Sequence, residues 1–397
     1  NTGACFADVN NDGHIDLLIA SGGNEFFGKD YHTRPRLYLN DGRANFIKQE
    51  NAFGDLFITA SCIVSTDFNG DGFVDLFIGG RVVPWENGQI PQSYLLLNDK
   101  TGKFTDATKS LAPGLSLAGF VTNALWFDID KDGDNDLLLS LEWGGLDAYM
   151  NANGKFTKKQ LTDKKGWWNF VLPCDVDNDG DIDLVAGNLG LNSRLKASIK
   201  EPLRLYFNDF DGNGKKEQVL TYYLEGKEIP FANKAELEKQ MPVLKKKFLY
   251  AGDFAKATLQ DLFTKEKLDA AILHTADYLS NAVFINKGNL QFDVLDLPAE
   301  AQFSSMKDAV LVNANDDNLP DILIMGNYYD PNIEMGRYDA DYGTMLINKG
   351  AGKFTAETIN GLAVKGQVRH IRSITLGKQT AYLLARNSDS AVLIKFT

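Results

Sequence analysis

An all-β fold class follows from three features of this 397-residue chain. An acidic nonapeptide recurs four times, a short apolar run follows each copy, and a second motif keeps step with both. The nonapeptide reads DVNNDGHID from Asp8 to Asp16, DFNGDGFVD from Asp67 to Asp75, DIDKDGDND from Asp128 to Asp136 and DVDNDGDID from Asp175 to Asp183. The runs behind it, LLIASGG, LFIGG, LLLSLE and LVAGN, are short and end in Gly or polar residues, as buried strands do. The second motif is an apolar strand ending in Asn, then a Gly-containing turn, then Phe. It occurs at Asn40 with Phe46, Asn98 with Phe104, Asn151 with Phe156, Asn286 with Phe292 and Asn348 with Phe354. One period therefore holds strand, acidic loop, strand, connection, strand, tight turn, strand. Repeats of this size with four strands each predict a seven-bladed β-propeller of four-stranded antiparallel blades, a single domain over residues 1–397.

Each element has its reason. Within the loop, oxygen side chains stand at positions 1, 3, 5 and 9, and Gly at 6 permits a sharp bend. That spacing suits a hard cation, with the backbone carbonyl of position 7 as a further ligand. Three or four carboxylates within nine residues repel one another unless a cation joins them. The candidate calcium ligands are Asp8, Asn10, Asp12, His14 and Asp16; Asp67, Asn69, Asp71, Phe73 and Asp75; Asp128, Asp130, Asp132, Asp134 and Asp136; and Asp175, Asp177, Asp179, Asp181 and Asp183. An EF-hand would carry Glu at position 12, where these copies have Ile19, Ile78, Leu139 and Ala186.

Two weaker copies extend the series. DFDGNGKKE supplies Asp209, Asp211, Asn213, Lys215 and Glu217, with Asn208 in the place of the second motif's Asn. NANDDNLPD supplies Asn313, Asn315, Asp317, Leu319 and Asp321, with Asn318 in place of the glycine. Asn tolerates a left-handed backbone, so the bend is expected to survive. The alternative for any copy is a metal-free Asx-rich turn. Four to six Ca²⁺ ions are expected in all. The long gap before Asn313 is assigned two periods, one a degenerate copy near Asp253 and residues 268–273. A seventh, metal-free copy runs through RHIRSITLG, TAYLLARN and AVLIKFT.

Residues 225–268 break the repeat with the helical patterns NKAELEKQM and TLQDLFTKEKL. Asn233 and Glu236 are spaced as a capping box, and Pro242 ends or kinks the first helix. This insertion is placed between blades four and five, as a brace or a docking element. Cys5, Cys62 and Cys174 all precede loops on first strands, an odd set without a disulfide framework. Four scattered His make no zinc or catalytic cluster, and no Ser–His–Asp set or phosphate-binding loop is visible.

The loop-and-strand unit resembles the FG-GAP or VCBS-type repeat, the blade of integrin α-subunit propellers and of many bacterial surface proteins. GNLGLNSRLKAS (187–198) and GRYDADYG (336–343), with the closing LLARN, are more similar still to bacterial VCBS/FG-GAP proteins with an ASPIC/UnbV region. The resemblance covers essentially the whole chain and implies the propeller fold. The clear FG…GAP signatures of the integrin pattern are missing.

In a four-stranded meander the 1–2 and 3–4 connections leave at one end, and the 2–3 and inter-blade connections at the other. The acidic loops thus share one end. The longer connections gather Arg34, Arg81, Trp85, Trp143, Trp167, Trp168, Arg194, Tyr328, Tyr329 and Arg337 at the opposite end. Aromatic platforms with Arg suit sugar rings or a peptide. The expected function is a calcium-stabilised extracellular module that recognises a glycan or protein ligand there. The alternative is a calcium-assisted polysaccharide lyase, with Arg337 and Asp339 or Tyr338 in the chemistry.

A net charge of −12 argues against nucleic acid or an anionic membrane as partner. Five divalent cations would cancel most of it. No transmembrane run occurs, and a start almost on a strand suggests a piece of a longer exported protein. Loops of this kind work where calcium is abundant, at a cell surface or on the periplasmic side of a bacterial outer membrane. The absence of an N-x-Ser/Thr sequon accords with a bacterial source.

Overall fold

The computed structural model describes residues 2–315, 317–332, 334–357 and 361–396. Each acidic nonapeptide joins two antiparallel strands, and the residue before position 1 faces position 9 across the pair. The facing pairs include Ala7 with Asp16, Thr66 with Asp75, Cys174 with Asp183, Asn208 with Glu217 and Val312 with Asp321. The second strands Asp75–Gly80, Asp183–Gly187 and Asp321–Gly326 are buried throughout. Their sequences are therefore continuous apolar runs rather than alternating ones.

Among the described residues the strands form seven separate sheets. Gly3–Ala7, Asp16–Ala20, Arg36–Asn40 and Phe46–Gln49 pair in chain order, as do Ala60–Thr66, Asp75–Gly80, Tyr94–Asn98 and Phe104–Asp106. Met306–Val312, Asp321–Gly326, Thr344–Asn348 and Phe354–Glu357 repeat that order. The sheet carrying the Asp128 loop has five strands: Asp136–Gly144 is flanked by Phe120–Phe127 and Leu146–Ala152, with Lys155–Gln160 outside and Gly166–Trp167 bonded near its end. The last sheet has three strands, Val368–Leu376, Gln379–Arg386 and Val392–Ile394, one fewer than the four of the expected seventh copy. Thr397, at the end of that copy, lies outside the described residues.

The expected seven-bladed propeller is not the observed architecture. No sheet closes or curls on itself, and the chain divides into two compact units. One comprises Asn1–Val121, Tyr149–Lys158 and Leu195–Tyr278; the other Thr122–Ala148, Lys159–Arg194 and Leu279–Thr397. The integrin-like assignment falls with the propeller. The physical reason is that a repeat of loop, strand and tight turn specifies pairing inside one sheet and carries no term for closure.

A second correction concerns the insertion. The sheet of Phe170–Cys174 and Asp183–Gly187 is completed by Ala282–Asn286 and Phe292–Asp296, with Leu184 opposite Phe284. Everything between, about 188–281, interrupts one repeat between its second and third strands instead of separating two repeats. The interruption contains its own sheet, in the order Lys227–Pro230, Glu217–Leu224, Leu203–Asn208, Ile272–Ala276. The degenerate copy expected near Asp253 and residues 268–273 is therefore absent: Asp253 lies in the short helix Ala251–Phe254, and Ile272–Ala276 is an edge strand on Leu203–Asn208.

Helices Lys234–Gln240, Val243–Lys247, Ala251–Phe254, Leu259–Leu262 and Lys265–Asp269 pack Leu237, Met241, Leu244, Leu259 and Leu262 against Tyr206, Phe210 and Val219. Asn233 caps the first of them by accepting the Glu236 N–H at 3.1 Å, and that helix stops before Pro242. The full capping box is at Thr258 and Asp261. All three cysteines are free, with Cys62 and Cys174 buried. Burial pushes the Cys5 thiol up to about 11.

Second strands that end in Gly do so because another backbone lies against them. A Cβ on Gly326 would sit 1.9 Å from the Ser305 carbonyl oxygen and one on Gly80 would sit 2.3 Å from that of Gln92. Backbone cannot yield as a flexible side chain does. Gly326→Ala is expected to destabilise by about 3 kcal/mol or more, an overpacking cost at its upper end. Urea unfolding checks it; a loss below about 1 kcal/mol would show that the strand end can move.

Candidate metal centres and the connection ends

The loops share one hydrogen-bond plan, written largely in carboxylate oxygens. Position 1 accepts the N–H of position 6: Gly13 N to Asp8 Oδ2 at 2.8 Å, Gly72 to Asp67 at 2.7 Å, Gly133 to Asp128 at 3.0 Å, Gly180 to Asp175 at 3.0 Å and Gly214 to Asp209 at 2.9 Å. Position 5 accepts the N–H of position 7, as in His14 to Asp12, Phe73 to Asp71, Asp134 to Asp132, Asp181 to Asp179, Lys215 to Asn213 and Leu319 to Asp317. Position 6 is left-handed in all six loops. Asn318 takes φ +65° where the others have Gly at +85° to +98°, so the replacement holds the bend as expected.

Position 9 explains why the two motifs run in step. In the Asp175 loop, Asp183 is fully buried; its Oδ2 accepts Val176 N at 2.9 Å and its Oδ1 accepts Asn286 N at 2.7 Å. Asp16 does the same for Val9 and Asn40, and Asp321 for Ala314 and Asn348. Asp75 accepts Asn98 N, Asp136 accepts Ile129 N, and Glu217 accepts Phe210 N. The hairpin Asn returns a bond from its own amide, Asn286 Nδ2 to Ile182 O and Asn98 Nδ2 to Val74 O. It also reaches the preceding repeat: Asn98 Nδ2 to Val9 O at 2.8 Å, Asn151 Nδ2 to Phe68 O at 2.9 Å and Asn348 Nδ2 to Val176 O at 2.7 Å. One buried carboxylate and one Asn thus tie loop, hairpin and neighbouring repeat together.

Among the described residues, three acidic groups converge closely enough to hold a divalent cation: Asp128, Asp130 and Asp136; Asp175, Asp177 and Asp183; and Asp209, Asp211 and Glu217, each with ligand atoms within 4.8 Å of one another. In the second group Asp175 Oδ1 and Asp177 Oδ1 are buried without a hydrogen-bond partner. Buried polar atoms are ordinarily paired, so these oxygens fit a cation between them. Burial, with Asp177 and Asp179 nearby, pushes Asp183 up to about 6. Burial, with Asp71 and Asp67, pushes Asp75 up to about 7. Asp209 instead sits below the usual carboxylate range, held by the Gly214 N–H, with Lys267 contributing. Two of the position-3 amides donate to position 5, Asn10 Nδ2 to Asp12 at 2.9 Å and Asn315 Nδ2 to Asp317 at 2.8 Å. All three amides accept the position-5 N–H, Asn69 from Asp71 at 2.9 Å, Asn10 from Asp12 at 3.3 Å and Asn315 from Asp317 at 3.2 Å.

The residues assigned to the connections are divided between the two compact units, with Arg34, Arg81 and Trp85 in the first and the others in the second. Arg34 bonds Asp55 at 3.1 Å and lies over the Phe57 ring, while Arg81 donates its backbone N–H to Thr59 O. Trp85 is 62% exposed and stacks on Phe27. Trp143 meets Trp167 edge-on at 5.3 Å. Trp168 is a correction to the expected ligand set: it is wholly buried, bonded to Lys164 O and packed on Phe284, and serves the core.

In the second unit, Arg337 lies 3.6 Å from the centre of the Tyr329 ring and pairs with Asp339 at 3.5 Å. Tyr329 accepts the Gly366 N–H, Tyr328 bridges Tyr338, and Arg194 bonds Glu334 O. The residue that orders this connection was not anticipated. Buried Asp341 accepts Gly326 N at 2.8 Å and Gly343 N at 3.1 Å, and Asn327 exchanges two bonds with its backbone. The DADYG segment contained it, with no spacing to single it out. No helix among the described residues is long and apolar enough to cross a membrane.

The model of the FG-GAP-like repeat matches residues 8–78, 67–139 and 128–186. Each match runs from the start of one acidic loop to the strand after the next, so the repeat is confirmed over the first four loops. No curated protein sequence matches the chain. Among solved structures, an ancestral GH74 enzyme is similar at 12% identity and TM-score 0.45, covering 100% of this chain and 42% of its own. The V. cholerae biofilm matrix protein Bap1 is similar at 11% identity and TM-score 0.36, over 97% of this chain and 74% of its own. BBS1N, solved in complex with ARL6DN, gives 8% identity and TM-score 0.37, over 99% and 91%. The chain thus spans less than half the length of the GH74 enzyme, and likenesses this weak carry neither fold nor function. The defined class is a repeat-containing, largely β-sheet protein with acidic clusters able to chelate a metal.

Proposed function

We propose that the chain is a calcium-stabilised binding module of the extracellular or periplasmic space, taking a glycan or protein ligand at the connection ends of its sheets. The observation that carries the metal half is the Asp175, Asp177 and Asp183 group, two of whose buried oxygens have no partner. An all-oxygen donor set without His or Cys side-chain ligands favours a hard cation over zinc. Four oxygen side chains and a backbone carbonyl in one loop come close to the six to eight ligands of Ca²⁺. The same plan would extend to the Asp8, Asp67, Asp128 and Asp209 loops, and to the Asn313 loop with fewer charges. A requirement for abundant calcium is what points outside the cytoplasm.

The ligand half rests on topology. In the sheets paired in chain order, the acidic loop joins strands one and two, and the long connection after strand two leaves from the other end. Exposed Trp85, with Tyr329 and Arg337, stands on such connections, whereas half-buried Trp143 lies at the end of the second strand Asp136–Gly144. No observation favours the lyase. A phenol acting as base must be drawn down, whereas burial pushes Tyr338 up and its hydroxyl is bonded to Ser193 at 2.7 Å. The test incubates the calcium-loaded protein with soluble polysaccharides and follows retention and chain cleavage together. Retention without cleavage is expected; cleavage abolished by Arg337→Ala would replace this reading with the enzyme.

A further inference from the structure

The connection after Asp75–Gly80 carries Trp85 in a left-handed backbone, φ +67°, which a bulky residue rarely adopts. Such a conformation persists only where the surroundings over-determine it. Here Asn24 does so: its Oδ1 accepts the Trp85 backbone N–H at 2.7 Å, and its carbonyl oxygen accepts the indole Nε1–H at 3.0 Å. Trp85 is thus held at its backbone and at its indole nitrogen, although it is 62% exposed and none of the other four tryptophans is among the exposed residues. Phe27, itself 55% exposed, lies parallel to it, with ring centres 5.2 Å apart and planes 9° from each other. Packing does not account for two large rings fixed in parallel and left in water. A stack with one indole face on Phe27 offers its other face to a ligand.

We infer that Phe27, Trp85 and Asn24 form a platform for the apolar face of a neutral pyranose ring. This deepens the module reading above and rests on it. A sugar ring presents one flat face of C–H groups, which an immobilised indole matches without a further loss of side-chain freedom. Glu25 and Glu86 are the chain neighbours of Asn24 and Trp85 and are carboxylates available to sugar hydroxyls on these connections. The neutral class follows from the nearby cations. Lys29 and Arg34 are both spent on Asp55, at 2.8 and 3.1 Å, and both lie over Phe57. Arg81 is likewise engaged. Among the described residues, each of these cations already has a partner, which a uronate carboxylate would have to displace.

The test measures binding of the calcium-loaded protein to a soluble neutral β-glucan, a neutral galactan and polygalacturonate, with indole emission as a second readout. A neutral polysaccharide is expected to bind and to shift the emission. Trp85→Ala should weaken binding tenfold or more, about 1.4 kcal/mol. Trp85→Phe should retain part of the affinity and lose the emission shift. Calcium-dependent melting close to wild type confirms that the variants fold. Undiminished binding by Trp85→Ala would overturn the platform and leave the module reading standing. Trp85-dependent binding of polygalacturonate alone would overturn the neutral class. Failure of the wild type to retain any polysaccharide would remove both the platform and the glycan reading.

Discussion

Chelating divalent cations is expected to lower the melting temperature by about 10 °C or more, and returning millimolar Ca²⁺ to restore it. At ~2 mM free Ca²⁺ and a Kd of ~0.1 mM, one site contributes roughly 1.8 kcal/mol. Two or three sites per compact unit then supply about 4–5 kcal/mol, a large part of a typical domain stability of about 5–15 kcal/mol. For units of this size each kcal/mol corresponds to roughly 2–4 °C. The structure gives the mechanism. Without a cation, Asp175 Oδ1 and Asp177 Oδ1 are buried unpartnered beside Asp183, whose own oxygens are committed to Val176 and Asn286. Differential scanning calorimetry with chelator and with calcium checks this, and Mg²⁺ serves as the control that a smaller ion with stricter geometry should replace poorly.

Asp183→Ala is expected to be among the most damaging single changes. It leaves the buried N–H groups of Val176 and Asn286 without acceptors, each at about 1–3 kcal/mol, and removes one metal ligand as well. A total of about 4 kcal/mol would bring the unit close to its unfolding threshold at 37 °C. Asp183→Asn separates the two roles. It preserves the shape and one acceptor oxygen, so it should fold better than the Ala variant while losing most of its calcium response. Chemical denaturation of both variants with and without calcium decides the matter. Equal, small losses in both would mean that the ninth position is not the tie between loop and hairpin.

The loops and hairpins were legible because their determinants are local. Spacing over nine residues dictates the turn, and even the Gly-to-Asn exchange at Asn318 follows from backbone sterics. The step between the two motifs was also visible, though its cause, the Asp183 and Asn286 type of bond, joins residues 23 to 27 apart in the uninterrupted repeats and 103 apart across the insertion, and needed the structure. What was not legible depends on partners distant in the chain. Ala282–Asn286 belongs with Asp183–Gly187, but nothing in INKGNLQF distinguishes that partner from a new repeat. Closure into a propeller was read from the number of periods, a quantity that does not encode how sheets are arranged. Trp168 illustrates the same limit at the site. Beside Trp167 in the sequence it looks equally available, whereas the half-buried Trp167 meets Trp143 and Trp168 faces the core. Phe27 and Asn24 were missed because their importance comes from touching Trp85, 58 and 61 residues further on.

The most direct measurement is a count of bound calcium per chain by native mass spectrometry, on the wild type and on a double variant, Asp175→Asn with Asp177→Asn. Four to six ions on the wild type, and one fewer on a folded double variant, is the predicted result. A wild-type chain that binds no calcium, or a count unchanged by the two substitutions, would contradict the assignment of the acidic loops as metal centres.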